Sequence, residues 1–196
     1  MQTIITFLRQ FNWVDVFVVI LLIRLCYVAV KTGFPVELFK LLGLIFAILL
    51  ACHNYVGISN FLASNAPSAV LGQRTLNILN LFSFVLLATL GYFVFFILRT
   101  TCLSLVRMEA ISLLNRWGAI ILSIFRWSLL TSLLLMTAAI SNNGYLNKGL
   151  SDSFVRPVLF KPAPKVYVFL WNNLLSRFMD SEGFNSAVGN LERNLL

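Results

Sequence analysis

Long stretches of almost uninterrupted apolar residues, separated by short polar connections, dominate this 196-residue chain. The apolar residues cover all sides of a helix, unlike the single apolar face of a surface helix on a soluble protein. They do not alternate with polar residues at period two, which argues against the strands of a transmembrane β-barrel. About 20 apolar residues cross a bilayer as a helix. The pattern therefore predicts an all-α, polytopic membrane protein with four transmembrane helices, at about residues 13–32, 35–55, 76–98 and 117–140.

The connection between the first two spans is very short. Only Gly33 and Phe34 precede Pro35, which opens the next apolar stretch. Glycine permits backbone angles that a tight turn needs, and proline suits the first turn of a helix, where its missing N–H is not required. The first two spans are therefore predicted to form an antiparallel hairpin.

The other two connections are longer. Residues 56–74 are small and polar and contain Pro67 and Gly72, which predicts a loop. Residues 99–116 place arginines among leucine, valine, methionine and isoleucine. This mixture predicts an interfacial amphipathic segment between the third and fourth spans.

A C-terminal tail, residues 141–196, follows the four-span membrane domain of residues 1–140. Residues 141–154 are predicted to form a loop. The prolines within 156–165 argue against helix there, because proline lacks the N–H that a helix interior uses. Residues 166–179 predict a short amphipathic C-terminal helix.

Composition supports a lipid environment. The chain is 59% hydrophobic and 11% charged, whereas soluble domains carry about 25% charged residues. Its net charge of +8 comes from basic residues that flank the apolar stretches. We therefore expect the lipid bilayer, and not nucleic acid, to be the partner of these charges. The distribution of lysine and arginine favours cytoplasmic hairpin loops with both termini outside.

Two arginines lie inside predicted spans, Arg24 midway along the first and Arg126 midway along the fourth. An arginine at the centre of a span costs about 2.5–3.5 kcal/mol, so it is expected to face the bundle or a wet cavity. Asp15, Glu37 and Glu109 are the candidate partners because they are the carboxylates near spans. The sequence leaves three roles open: structural pairing or snorkelling, a solute or ion path, and a contact between subunits.

Glu37 has two interpretations of its own. In the first turn of the second span its carboxylate complements the helix dipole, and Lys40 lies three residues later on the same face. With Lys31 at the end of the preceding span, these residues then form an interfacial cap of the hairpin. In the second interpretation Glu37 reaches inward toward a buried arginine.

Small residues recur at four-residue spacing on two of the spans. Such residues let helix backbones approach closely, which predicts a packed bundle. The candidate packing positions are Gly33 in the turn, Gly43, Ala47 and Ala51 in the second span, and Ala119 and Ser123 in the fourth.

The sequence carries no motif of the common catalytic classes, such as GxSxG, HExxH or a glycine-rich phosphate loop. Its three cysteines, Cys26, Cys52 and Cys102, are far apart, and His53 is the one histidine. Neither a metal site nor a disulfide framework is expected from this spacing. We therefore expect a non-enzymatic protein without cofactors.

The sequence resembles the colicin V production protein (CvpA) family of bacterial inner-membrane proteins. The resemblance covers about residues 12–140 and begins at "NWVDVFVVILLI", which contains Asp15. It continues through "KTGFPVELFKLLGLIFAILLACHNY", where the family's Gly-Phe, Glu, Gly, Ala and Tyr occur in order, and returns at "LLNRWGAIILSIFRW". The family's Asp-Arg pair is Asn115-Arg116 here. Glycines of the last span are replaced by Ala119, Ser123 and Trp127.

The resemblance implies a multi-pass protein of the bacterial inner membrane that acts in colicin V production or export and in envelope function. It would work through self-association or an envelope or secretion protein. The alternatives are a small transporter or channel that uses buried arginine and glutamate, and a subunit whose 99–116 segment docks a partner. The candidate functional charges are Asp15, Arg24, Glu37, Arg116 and Arg126.

Overall fold

The computed structural model describes residues 12–65, 72–105, 112–177, 185 and 188. Within these residues the chain is helical and contains no strand. Seven α-helices and a short 3-10 turn, Leu175–Arg177, follow one another. The helices are α1 (Trp13–Thr32), α2 (Phe34–Ser64), α3 (Gln73–Leu105), α4 (Ser112–Ile140), α5 (Gly144–Ser151), α6 (Arg156–Leu159) and α7 (Pro162–Asn173).

Helices α1 to α4 are long and apolar enough to cross a membrane, which confirms the predicted class of an all-α polytopic membrane protein. The predicted loop over 56–74 was too long, since α2 continues to Ser64 and α3 begins at Gln73. Gly57 does not end α2, because an isolated glycine costs a helix only about 1 kcal/mol. At about 1.5 Å per residue, α2 is longer than the hydrocarbon core is thick, so it tilts or extends beyond that core.

The predicted amphipathic segment over 99–116 is divided between two spans. Helix α3 runs on through Leu105, and α4 already begins at Ser112. Residues 106–111, including Glu109, lie outside the described residues. Two arginines of the predicted segment therefore belong to the spanning helices themselves: Arg99 lies near the end of α3, and Arg116 lies near the start of α4.

The four spans pack in the order α1, α4, α2, α3. The closest pairs are α2 with α3, α2 with α4, and α1 with α4. Helices α1 and α2 follow each other directly but touch little. As a consequence, α1 and α3 stand on either side of the α2–α4 pair, and a cavity lies between the four helices.

Small side chains bring α2 and α3 together. A Cβ atom added to Gly91 of α3 would lie 2.8 Å from the Cα of Ala47, and one added to Gly43 would lie 2.8 Å from the Cβ of Phe95. Ala47 lies in this contact, and both Ala47 and Ala51 are buried. The four-residue spacing of the small positions on α2 thus coincides with a close backbone approach.

Helices α1 and α4 meet through polar contacts in an antiparallel arrangement. The Ser123 hydroxyl lies 3.5 Å from Sγ of Cys26, and the Trp127 indole N–H donates to the carbonyl of Val18 at 2.9 Å. Ala119, one turn before Ser123, is fully buried. These contacts fix the depth of each α1 residue relative to α4.

The C-terminal tail is more helical than predicted. The predicted loop over 141–154 contains α5, and the proline-rich segment over 156–165 contains α6 and the start of α7. Helices α6 and α7 each have a proline in the first turn, where no backbone N–H is needed. These prolines therefore begin helices instead of preventing them. The predicted helix over 166–179 corresponds to α7, which starts earlier and ends at Asn173.

The tail packs into the core of the bundle. The Ser132 hydroxyl on α4 donates to the carbonyl of Phe160 at 2.8 Å and accepts from the N–H of Ala163 at 2.9 Å. It thereby satisfies backbone groups at the break between α6 and α7. Phe160, Ala163 and Tyr167 are buried in the same hydrophobic core as the spans.

Candidate functional site

A buried carboxylate, Glu37, lies at the centre of a polar cluster that joins three helices. Its Oε1 accepts hydrogen bonds from the Thr32 hydroxyl and from Nζ of Lys40, both at 2.7 Å. Its Oε2 lies 2.6 Å from Nη1 of Arg126 on α4. The Glu37 side chain is 0% exposed and that of Arg126 is 7% exposed. The pairing of Glu37 with a buried arginine and its pairing with Lys40 therefore occur together.

The local sequence places these groups. Glu37 follows the Gly33 turn by one helical turn, so its carboxylate faces back toward Thr32 at the end of α1. Lys40 is three residues further along the same face of α2. Arg126 reaches the cluster from deeper in the bundle, because side chains of a helix tilt toward its N-terminus. The cluster thus closes the α1–α2 hairpin against α4.

The charges in this cluster do not cancel. One carboxylate faces two cations, Lys40 and Arg126, so the cluster carries one net positive charge. The Arg126 contact is an ion pair without the alignment of a good hydrogen bond, since Oε2 of Glu37 has no hydrogen-bond partner by direction. Arg126 is thus held at Glu37 by charge and not by a directed N–H hydrogen bond.

A cavity of about 740 Å³ lies beside the cluster, and all four spans contribute to its wall. Its polar lining includes three cations, Arg24, Lys40 and Arg126. Arg24 has neither a hydrogen bond nor an ion pair with any residue in the described ranges. The rest of the lining is mainly aliphatic and includes Leu44 and Leu133. The structure therefore brings Arg24 and Arg126 into one site, with Glu37 behind it.

Asp15 occupies a separate site near the start of α1. It is 0% exposed, and its Oδ1 accepts from the Ser153 hydroxyl at 2.6 Å and from the N–H of Val155 at 3.1 Å. Its Oδ2 accepts from the N–H of Asn12 at 3.0 Å, which is one half of a capping box. Asp15 thus ties α1 to the tail and has no contact with Arg126 or with Arg24, which is exposed, among the described residues.

A third polar contact closes the hairpin at its turn. Gly33 has a φ of +82°, a conformation that L side chains rarely adopt. Oδ1 of Asn115 accepts the N–H of Phe34 at 2.6 Å and thereby caps α2 from the first part of α4. The neighbouring Arg116 is exposed and does not belong to the Glu37 cluster.

Residues 14–164 match the family described as colicin V production protein. This match covers most of the chain and includes Asp15, Glu37 and Arg126. The chain belongs to the colicin V production protein family. Comparisons with curated proteins and with solved structures gave no match.

The family match confirms the resemblance seen in the sequence and extends it beyond residue 140 into the tail. Ser153 and Val155, which bind Asp15, lie within the matched range, so both partners of the α1–tail contact belong to the family region. With four apolar helices of spanning length, this member of the colicin V production family is a multi-pass membrane protein.

Several polar residues of these sites were not predicted. Thr32 and Ser153 carry no local signal, because the groups they contact are set by the turn of the hairpin and by the path of the tail. Asn12 does carry a local signal, since a capping residue followed three positions later by an acid, here the predicted Asp15, marks a helix start. Asn115 replaces the aspartate of the family's Asp-Arg pair, and its amide oxygen caps α2.

The lone histidine contacts the tail. Nδ1 of His53 lies 3.3 Å from the Tyr167 hydroxyl, and its ring stacks on Trp171 with centroids 5.2 Å apart. Burial raises the pKa of Tyr167, against the opposing effect of a hydrogen bond from the N–H of Asn185. No three His, Cys, Asp or Glu side chains in the described part of the chain lie close enough together to hold a metal ion.

Proposed function

We propose that this protein is a non-enzymatic component of the bacterial inner membrane that supports the export of colicin V or a comparable toxin, and with it envelope function. The observation that carries the proposal is the set of hydrogen bonds made by Asp15 and Glu37, the buried carboxylates in the described part of the chain. Asp15 and Glu37 accept bonds from several groups of the protein itself, which suits a role in holding the bundle together more than a role in catalysis.

The proposal is tested by measuring toxin inside and outside cells of a colicin V producer that lacks this protein. We expect less activity in the medium and retained activity in cell lysates, and restoration by the unaltered gene. Glu37→Gln should restore export poorly, whereas Asp152→Asn, which changes an exposed carboxylate, should restore it fully. Normal secretion without the protein would contradict the export role. Equal loss inside and outside would place the protein in toxin synthesis.

An export role through protein contacts predicts a partner or a second copy. Gentle crosslinking in cells, purification in mild detergent and mass spectrometry of the captured proteins would identify it. Repeated capture of an envelope or secretion protein supports the export role. Capture of the chain alone, as a homo-oligomer, would weaken that role and favour the second candidate function.

The second candidate is a small transporter or channel. It is favoured by the cavity, whose lining includes Arg24 of α1 and Arg126 of α4. Cysteines introduced at these two positions, in a variant whose native cysteines are replaced, should react with a water-soluble thiol reagent if the cavity is a path for solutes. Complete protection at both positions counts against transport, and solute flux into liposomes is the direct measurement.

A further inference from the structure

The cavity has the size and lining of a ligand site. Its volume of about 740 Å³ falls within the range of about 300–1,000 Å³ that small-molecule pockets occupy. Most of its wall is aliphatic, with leucines, valines and alanines from all four spans. The few polar groups in the wall include three cations, Arg24, Lys40 and Arg126. A mostly apolar pocket with a few convergent polar groups is typical of sites that bind small molecules.

The two arginines lie at the same depth. The contact between Ser123 and Cys26 fixes the antiparallel register of α4 against α1 and places Arg24 level with residues next to Arg126. Counted from the hairpin side, Arg24 is eight residues before Thr32 and Arg126 is 11 residues after Asn115, or about 12 Å and 16 Å along their helices. The guanidinium of Arg126 contacts Glu37 in the first turn of α2, so its charge lies toward the hairpin side of the cavity.

The charges around the cavity are unbalanced. Three cations line it, and the carboxylate next to them is Glu37, so the site carries two net positive charges. Glu37 is already engaged by Lys40 and Arg126. Arg24 is left without an ion pair among the described residues. Arg24 is exposed at this cavity, and an arginine within a span is expected to have an anion or water as its partner.

We propose that this cavity binds an amphiphile with one acidic headgroup and an apolar body. Arg24 and Arg126 bind the headgroup, because a guanidinium pairs well with carboxylate and phosphate oxygens. The apolar body lies along the aliphatic wall formed by residues such as Leu44 and Leu133. An inorganic anion alone fits the site less well, since it would leave this wall without a partner.

The inference concerns binding and names a ligand class for the second candidate function. Binding and flux are measured separately, so a protein that binds such a ligand without moving it remains distinguishable from one that does neither. The binding inference can also be tested apart from the export role, because the binding measurement does not involve toxin secretion.

The test uses the full chain in nanodiscs of zwitterionic phosphatidylcholine. The probe is 11-(dansylamino)undecanoic acid, and its methyl ester is the uncharged control. We expect the acid to bind at least about tenfold more tightly than the ester, because its carboxylate can pair with the guanidinium groups. Equal affinities for acid and ester would overturn the proposal, and this comparison needs no variant.

The residues are tested with matched variants. Arg24→Gln should weaken binding of the acid about tenfold and leave the ester unchanged, and Arg24→Lys should retain part of the preference. Arg116→Gln, which removes an exposed arginine outside the cavity, should bind like the unaltered protein. Unchanged binding in Arg24→Gln would overturn the assignment. Absence of acid binding, together with dissociation of a dimer in Arg24→Gln, would assign the site to a carboxylate of a second copy instead.

Discussion

Replacement of Glu37 by glutamine is the most informative perturbation of the bundle. The substitution keeps the shape of the side chain and removes its charge. It leaves Lys40 and Arg126 as two cations without a carboxylate, in a cluster where the Arg126 side chain is 7% exposed. Replacement of Arg126 by methionine does the opposite, because the remaining pair of Glu37 and Lys40 is neutral.

The two variants should therefore differ in size of effect. Removal of one partner from a buried ion pair costs about 3–5 kcal/mol, and Glu37→Gln should fall in this range. Arg126→Met leaves Glu37 neutralised by Lys40, so it should cost only what one unsatisfied buried acceptor costs, about 1–3 kcal/mol. In the double variant the uncompensated arginine is gone, and Lys40, which is 12% exposed, can reach toward the headgroups. The double variant should thus be more stable than Glu37→Gln alone.

The measurement is the free energy of unfolding in mixed detergent micelles of increasing dodecyl sulfate content, followed by fluorescence of the four tryptophans. Asp152→Asn serves as the control for loss of an exposed carboxylate. The reasoning is refuted if Arg126→Met destabilises as much as Glu37→Gln. It is also refuted if the two effects add within about 0.5 kcal/mol, because contacting residues are expected to couple.

Three further predictions concern the other contacts. Asp15→Asn removes the charge that binds Ser153 and the tail, so limited proteolysis within residues 144–155 should become faster. An unchanged cleavage rate would contradict the role of this contact. Gly91→Ala should cost about 1–3 kcal/mol in the same unfolding assay, because its Cβ would meet backbone, whereas Gly57→Ala, which meets nothing within 4 Å, should gain up to about 1 kcal/mol. Asn115→Asp should raise the free energy of unfolding by about 0.3–1 kcal/mol, because its carboxylate complements the dipole of α2. Asn115→Leu should lower it by about 0.5–2 kcal/mol, because the cap is lost. A lower value in both variants would show that the amide group itself is needed.

The spans could be predicted because the bilayer imposes a strong and local requirement. A stretch of about 20 apolar residues has few alternatives to a spanning helix. Their ends were less predictable. Helix α2 continues past Tyr55 to Ser64, and polar residues in that part do not distinguish a loop from a helix that leaves the hydrocarbon. The prolines of the tail were misinterpreted because their effect depends on position within a helix: at Pro162 the ring begins a helix.

The sequence predicted which charged residues belong to the site, but it did not predict which of them pair with each other. The sequence marks Glu37, Arg24 and Arg126 as charges that need a polar environment. It does not decide which of the arginines Glu37 meets, because α1 and α4 are both available and their distance from α2 is set by packing. The partner of Asp15 was out of reach for the same reason, since Ser153 lies 138 residues away. Contacts of this kind follow from tertiary structure alone.

The buried carboxylates Asp15 and Glu37 are contacted by different kinds of groups. This difference distinguishes contacts that only hold helices together from contacts that could also bind a ligand. Asp15 accepts from hydroxyl and backbone donors, which are uncharged, and these suffice to hold the tail. One cation would likewise suffice to neutralise Glu37, yet Lys40 and Arg126 both contact it, and Arg24 lines the same cavity. Holding the four helices together accounts for each carboxylate but not for all of the cations. The surplus positive charge lies where the cavity is open to an additional molecule, so the contacts that stabilise the bundle also leave the site prepared for an anion.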